Sequence, residues 1–393
     1  MRSGQPRMPP PRLPRQPGGV TVALLGSPTR TNIQLAYAWR RLGVDARILW
    51  PWEAVELLGP GDVALLRLDV LPTLDGVERG FEQVPALEKR GVQVLNRPEA
   101  LLAAHDKLET AARLAAAGLP HPWTRPVEPG LPVPDVPFPC VLKPRFGSWG
   151  QDVYLCPDRR ALARTLAVVA GRPWWRRHGA LLQGLVGSVS RDVRVITSGR
   201  EVAGGAERIA APGEWRTNVT LGGRVVKADL PPETAELALS AAQAIGIDFA
   251  GIDLLPADGG WVVLELNGAV DFDTRYALPG IDPYAAILEG LRVAVPEVRD
   301  AARRVTLIPT DTREVAMAKT VQGKPARAGD EIVITGHSVG DSPKTAVILE
   351  VLGEPGRERF LVRWEDGHES IFFPADDAVV RRPRRRRAST TTS

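Results

Sequence analysis

The sequence predicts a chain of α/β and α+β class: a small parallel α/β domain, a larger mixed domain, and a short all-β module at the end. Three observations predict it. Apolar runs alternate with helical-period stretches from residue 20 to about 97, strands and helices mix from "FPCVLKP" to about residue 293, and two alternating runs, "PKTAVILEVLG" and "RFLVRWEDG", follow near the end. At 393 residues the chain exceeds what one core usually organises, so two or three domains are expected.

The elements follow in order. Residues 1–18, rich in Pro and Arg, can bury almost nothing and are expected to be disordered. "VTVALLG" reads as a buried strand, "TNIQLAYAWRRLG" as a helix with Gly43 past its end, and "DARILW", "DVALLRLD" and "GVQVLN" as further strands, with a helix through "GVERGFEQVPALEKR". "NRPEALLAAHDKLETAARLAAAG" is one or two helices stopped by Gly118 and Pro120, and a Pro-rich connection follows. Asp258-Gly259 marks a hairpin turn.

The formal charge of +4 is set by the ends. Residues 1–18 carry four Arg and residues 381–393 carry six, with no acid in either; without them 40 basic side chains face 46 acidic ones, so the body stands at −6. A basic nucleic-acid groove is therefore not indicated, and nucleic acid is expected only through the Arg tail, which reads first as a solvated segment. Cys140 and Cys156 form no disulfide framework or metal-ligand pattern and read as reduced, pointing to a cytoplasmic protein. No stretch reaches the ~18 apolar residues of a membrane span, and the start lacks the apolar centre of a signal peptide.

"WVVLELNGAVDFD" (261–273) places Glu265 and Asn267 two positions apart at the end of an apolar run. Residues i and i+2 of a strand share a face, so these two look toward a cleft or solvent while Val262, Leu264 and Leu266 face the core. If the preceding hairpin loop has three or five residues, Asp253 of "GIDLLPADGG" lies opposite Glu265 on the same face; an even loop would turn it away. Two carboxylates and an amide oxygen suit Mg²⁺, which takes oxygen ligands and leaves positions for water and phosphate. The same triplet also suits an ordinary exposed strand face.

"VLKPRFGSWGQDV" (141–153) sets Lys143 at a strand end before Gly147, Ser148, Trp149 and Gly150. Glycines there let backbone N–H groups approach phosphate oxygens, although a plain hairpin would use them too; no Walker A pattern follows. "SRDVRVIT" alternates with Asp192 and Arg194 on one face, "VAGGAERIA" brings Arg208, and "EWRTNVTLGG" adds Arg216 and Asn218.

Taken together these motifs resemble the ATP-grasp superfamily and, within it, the RimK-like carboxylate-amine ligases, over roughly residues 20–293. The motifs are "HDK" with Lys107, "VLKP" with Lys143, "GSWGQDV", "RDVR", "ERIA" with "WRTN" and "LGG", then "GIDLL" and "VLELN". The resemblance implies a pre-ATP-grasp domain over 19–97, an ATP-grasp domain over 98–295, and a 296–323 linker. It implies Lys107 and Lys143 on the α- and β-phosphates, Gly147–Asp152 as the loop covering them, Gln183, Gly184 and Leu185 as the hinge facing adenine, and Asp192 on the ribose side. Arg216 and Asn218, with Arg208 nearby, would serve the γ-phosphate and acyl phosphate; Asp253, Glu265 and Asn267 would hold Mg²⁺ or Mn²⁺, two ions, with ATP.

The implied reaction joins an amine, glutamate or a related amino acid, to a carboxylate acceptor that is a small molecule or a protein, in a homo-oligomer. The hinge "LLQGLVG" lacks the family's acidic and aromatic pair, and "NGAVDFD" departs from the glutamate ligases toward relatives acting on amino-group carrier proteins. Asp271 is a candidate contact for the amine. A catalytically silent nucleotide-binding scaffold is the competing expectation. Residues 324–382 resemble a small SH3-like bacterial barrel of unknown function; its His337 and His368 read as surface residues, and 383–393 as a disordered basic tail.

Overall fold

Four apolar runs, β1 (Thr21–Leu25), β2 (Asp45–Leu49), β3 (Val63–Leu66) and β4 (Gln93–Leu95), pair in parallel in the order β2-β1-β3-β4. In this computed structural model the described residues are 20–187, 190–227, 229–292, 327–334, 344–352, 359–364, 369–372 and 378–381. The terminal tails, the 296–323 connection, His337 and His368 lie outside them. The chain divides into two compact units, Met1–Thr306 and Leu307–Ser393.

Helix α1 (Arg30–Arg41) starts where the Thr29 side chain accepts from Asn32 N–H and ends ahead of Gly43, whose φ of 87° suits the turn that follows. Its Trp39 is fully buried and donates to Tyr284 O at 2.9 Å. Two local expectations change. Residues Pro51–Leu57 form a short helix, α2, that the sequence reading passed over, started by Pro51 and by Glu53 reaching back to Trp50 N–H. The helix expected through "GVERGFEQVPALEKR" shrinks to a 3₁₀ turn at Phe81–Gln83 and α3 (Val84–Lys89). Gly80, at φ 134°, packs against Pro51 so closely that a β-carbon would meet the proline ring at 2.3 Å, and that contact excludes a helical path there.

Asp106 breaks the next stretch into α4 (Pro98–His105) and α5 (Lys107–Ala116), capping the second by accepting from Leu108 N–H. Lys107 is thereby the first residue of a helix. Two antiparallel sheets follow. One has the order β5-β8-β6-β7, from β5 (Thr124–Val127), β6 (Cys140–Pro144), β7 (Tyr154–Cys156) and β8 (Ala180–Gly184), with α6 (Arg159–Val169) and α7 (Pro173–His178) between β7 and β8 in sequence. The other has the order β11-β10-β9-β12-β13, from β9 (Arg191–Ser198), β10 (Glu201–Ile209), β11 (Arg224–Lys227), β12 (Phe249–Ala257) and β13 (Gly260–Asn267). Helix α8 (Pro232–Ile245) packs on β9, β12 and β13, and α9 (Pro283–Gly290) on β9, β10 and α1. The cysteines are free, buried, and directly opposite each other across β6 and β7.

The parallel sheet and the β9–β13 sheet share one core, in which Leu25, Leu66 and Leu87 join Leu101, Val195, Ile252 and Leu266. Asn96 fastens them: fully buried at φ 54°, its amide accepts from Asp248 and Phe249 N–H and donates to Phe249 O at 2.9 Å. Under this junction the His105 Nε2–H donates to Leu68 O at 2.9 Å. Burial pushes the imidazole down to about 4, against the pull of that hydrogen bond. The unfolded chain takes the proton first, so stability should fall as pH drops from about 6.5 to 4, by about 3 kcal/mol from this group. Urea midpoints at pH 7 and about 4.5 test it; a His105→Gln variant should show the shallower pH dependence, and an unchanged slope would be contrary.

In the second unit β14 (Glu331–Ile334), β15 (Lys344–Leu352), β16 (Arg359–Trp364), β17 (Glu369–Phe372) and β18 (Ala378–Arg381) make an antiparallel sheet in the order β17-β16-β15-β14-β18. It has its own small core of Ile332, Ala346, Ile348, Phe360, Val362 and Val380. Among the described residues no helix is long and apolar enough to cross a membrane.

Candidate active site

The β12–β13 hairpin turns through only two residues, with Ala257 paired to Gly260. On that even register Asp253 would face Leu264. It does not, because Leu264 is bulged out: Leu254 pairs with Val263, while Asp253 pairs with Glu265 and Gly251 with Asn267. The bulge restores the alignment that an odd loop was expected to give. It also changes the buried set to Val263 and Leu266, with Val262 and Leu264 only half-buried, which corrects the expected inward face.

Asp253 is buried against two arginines. Arg194 Nε and Nη2 donate to its Oδ1 and Oδ2 at 2.6 and 2.8 Å, and Arg208 Nη2 donates to Oδ2 at 2.7 Å. Burial opposes its ionisation, but Arg194 and Arg208 outweigh that and hold it at about 2. Arg208 also grips Asp192, whose other donor is the Thr217 hydroxyl at 2.5 Å. Asp192 thus faces Arg208 and Thr217 here.

Glu265 receives Lys107 Nζ at 3.1 Å, and the same ammonium donates to Gly147 O at 2.6 Å. Burial pushes the Glu265 carboxyl up, yet Lys107 and Lys143 prevail and keep it below the ordinary value. Lys143 is buried with no ion pair among the described residues, and burial pulls its ammonium down to about 8 while Glu265 resists. Four cations, Lys107, Lys143, Arg194 and Arg208, therefore surround three carboxylates, Asp192, Asp253 and Glu265. The surplus positive charge suits a polyphosphate.

The residues fit a divalent metal. Glu265 keeps three of its four acceptor positions, Asp253 keeps one, and the Asn267 amide is turned where its Nδ2 finds no partner. A buried amide N–H without an acceptor is costly, and as a donor it suits a ligand oxygen such as a phosphate's, while any metal would be met by the amide oxygen. Among the described residues no group of three His, Cys, Asp or Glu side chains could hold a metal, so the amide is needed to complete this set.

The glycine loop lies over these groups. Trp149 and Gly150 take φ of 55° and 71°, and a β-carbon on Gly150 would come within 2.7 Å of Asn218 Oδ1. Arg216 Nη1 donates to Gly150 O at 2.9 Å and the Thr220 hydroxyl to Trp149 O at 3.0 Å. Arg216 also pairs with Glu214 at 2.8 Å. Ser148 is half-buried in the same loop. At its far end Asp152 accepts from Tyr154 OH and Trp174 Nε1 at 2.9 and 2.8 Å.

At the hinge Gln183 is buried and its amide donates to Thr124 Oγ1 at 3.2 Å. Gly184 lies under the Trp123 indole, leaving no room for a side chain, and Leu185 lines a cavity of about 370 Å³ with Leu155 and Trp215. Trp123, an aromatic side chain packed against Gly184, went unassigned in the sequence reading. Arg194 and Thr217 were likewise unassigned to the site; the "RDVR" alternation alone signalled the first.

Residues 104–291 match the RimK-like ATP-grasp domain family and residues 325–380 a domain of unknown function, DUF1918. The tetrahydromethanopterin:alpha-L-glutamate ligase of Methanosarcina acetivorans is 30% identical over 274 residues, covering 61% of this chain and 85% of that protein. Human beta-citrylglutamate synthase B is 31% identical over 271 residues, covering 66% and 68%. A RimK domain ATP-grasp protein from Sphaerobacter thermophilus superposes with a TM-score of 0.51 at 21% identity, covering 70% of this chain and 100% of that one. The D-alanine–D-alanine ligase of Bacillus anthracis does so with a TM-score of 0.53 at 15% identity, covering 73% and 99%. The fold is ATP-grasp, and the protein is an ATP-dependent ligase that forms carbon–nitrogen bonds between a carboxylate and an amine. Within that class the chain belongs to the RimK-like family.

Proposed function

We propose that this ligase adds glutamate, or a closely related amino acid, to a carboxylate acceptor, with Asp253, Glu265 and Asn267 holding Mg²⁺ and Lys107 and Lys143 holding the nucleotide phosphates. The observation that carries the site assignment is the Leu264 bulge, which sets the triplet in one row beside the two lysines. The Methanosarcina acetivorans relative is a glutamate ligase by name, which supports the choice of amino acid.

A carboxylate is too poor an electrophile for an amine. When bound, Mg·ATP supplies the phosphoryl group that turns it into an acyl phosphate and leaves ADP. Lys107 and Lys143 hold the phosphate chain, Arg216 and Asn218 offset charge on the transferring group, and Arg194 with Arg208 keeps Asp253 ionised while Asp192 orients Arg208. Adenine lies against Gln183–Leu185, under the shelter of Trp123. The Gly147–Asp152 loop, tied by Arg216 and Thr220, excludes the water that would hydrolyse the activated acyl group.

The test is ADP release from Mg·ATP by the purified protein, with single amino acids and a metabolite extract, followed by mass spectrometry. Amino-acid-dependent ADP and a new amide-linked mass are expected. Amide formation from every amino acid except glutamate and its near analogues would overturn the assignment of substrate.

A further inference from the structure

The loop Gly147–Asp152 is held in a conformation that its own residues resist. Trp149 and Asp152 take φ of 55° and 50°, left-handed values that residues other than glycine rarely adopt, and Gly150 adds 71°. Such backbone persists only where the surroundings over-determine it. Arg216 and Thr220 hold the middle of the loop, at Gly150 O and Trp149 O. Its two ends are held from elsewhere.

Both ends reach α7. At the exit, Asp152 Oδ2 takes the Trp174 indole N–H at 2.8 Å, and Oδ1 takes Tyr154 OH and Arg172 Nη2 at 2.9 and 3.2 Å. Trp174 is only 2% exposed, so its N–H has the loop carboxylate where a surface indole would have water. The Arg172 contact lies at the surface and adds little. At the entrance, the Phe146 ring stands edge-on to His178, with centroids 4.9 Å apart and planes at 60°. Trp174 and His178 are one helical turn apart and share a face of α7. A single short helix thus grips both roots of the loop.

The helix is itself seated by the segment that leaves β3. Val70 bridges Val77 there, Leu71 N–H donates to Gly76 O at 2.9 Å, and Leu74 N–H donates to Leu71 O at 2.8 Å. From α7, His178 Nε2–H donates to Asp75 O at 2.9 Å and Arg177 Nη1 approaches Asp75 Oδ2 at 3.7 Å. Leu74, buried at φ 59°, and Val70 join the apolar cluster of Trp174, Trp175, Cys140 and Leu142, whereas Val77 packs against the core of the parallel sheet. One segment therefore has side chains in two cores. Core packing accounts for the tryptophan rings, but not for where the polar atoms on this face of α7 point: one to the loop, the other to the segment after β3.

We propose that α7 is a brace for the phosphate-covering loop, with Trp174 and His178 as positioning residues and residues 70–77 as the strap that seats it. The order of the loop is then set from the parallel sheet as well as by the nucleotide, and neither Trp174 nor Leu74 needs to touch the nucleotide. A change at the end of β3 reaches the phosphates through Asp75 and α7. The inference rests on the reading of Gly147–Asp152 as the loop over the phosphates.

The experiment is hydrogen–deuterium exchange of the full chain, followed by mass spectrometry on peptides covering 147–152, with and without Mg·ADP. Calorimetry gives the Mg·ADP affinity of each variant. Trp174→Phe keeps an aromatic ring and deletes the N–H that holds Asp152; exchange in the loop should quicken roughly tenfold and Mg·ADP should bind roughly tenfold more weakly. Leu74→Ala, on the strap, should loosen the same peptides. Trp175→Phe removes the same atoms from the adjacent position, which makes no hydrogen bond to the loop, and should leave loop exchange within about twofold of wild type.

If Mg·ADP protects the loop but neither Trp174→Phe nor Leu74→Ala changes its exchange, the brace is overturned and the ligase reading stands. The brace is also overturned if Trp174→Phe and Trp175→Phe quicken exchange alike across β5, β6, β7 and β8, because that is the signature of packing alone. If Mg·ADP fails to bind wild type, or binds without protecting 147–152, the phosphate-loop reading falls and the brace falls with it.

Discussion

Replacing Glu265 by Gln should abolish ATP turnover, by roughly a thousandfold or more, while the protein remains folded. The side chain keeps its size and an acceptor oxygen, so Lys107 retains both Gly147 O and the amide oxygen as partners. What disappears is the negative charge that offsets Lys107 and Lys143 and that, on the proposed assignment, would hold a divalent cation with Asp253 and Asn267. Steady-state ADP release, with circular dichroism and a urea midpoint as folding controls, measures the effect. Near-normal turnover would sink the metal assignment.

Arg208→Ala should cost more stability than activity measurements alone can register. Its guanidinium, 4% exposed, is the shared partner of Asp192 and Asp253, each 1% exposed. Truncation would leave Asp192 with only the Thr217 hydroxyl and Asp253 with only Arg194, and removing one partner of a buried ionic cluster typically costs about 3–5 kcal/mol. Urea denaturation at neutral pH tests this, and a loss under about 1 kcal/mol would show that the cluster is more hydrated than its burial indicates. Arg208→Lys should recover only part, since an ammonium cannot span two carboxylates as the planar fork does.

Both residues were visible in the sequence, although not for the same reason. Glu265 and Asn267 stand out because period-two spacing is a local property, and the lysines and glycines of "VLKPRFGSWG" mark a strand end and a loop in the same way. Arg208 could be placed on a strand face, but its partners could not: Asp192 is its cross-strand neighbour and Asp253 reaches it from a further strand. Strand alternation also marked the two runs near the end that pair as β15 and β16, but not the order of strands in the antiparallel sheets. Features that depend on distant packing stayed hidden. The stretch 76–80 has helical composition in part, yet Gly80 against Pro51 decides it; Asn96 looks like a loop residue until Phe249 is beside it; and Trp123 meets Gly184 from sixty residues away in sequence. Nothing in "NGAVDFD" announces that Asp271 would sit near Arg67.

The bulge at Leu264 has a consequence for how this hairpin can vary. Because strand faces repeat every two residues, the number of residues between Asp253 and Glu265 behaves as a parity code, and the turn and the bulge each contribute one bit to it. A chain with an odd turn needs no bulge, and a chain with an even turn needs one. Insertions at Asp258-Gly259 and deletions at Leu264 are therefore a coupled pair, although about 16 Å of strand separates the two places at a rise of about 3.3 Å per residue. Length can drift at the exposed tip in steps of two without disturbing the chemistry, whereas any single step there must be answered at Leu264.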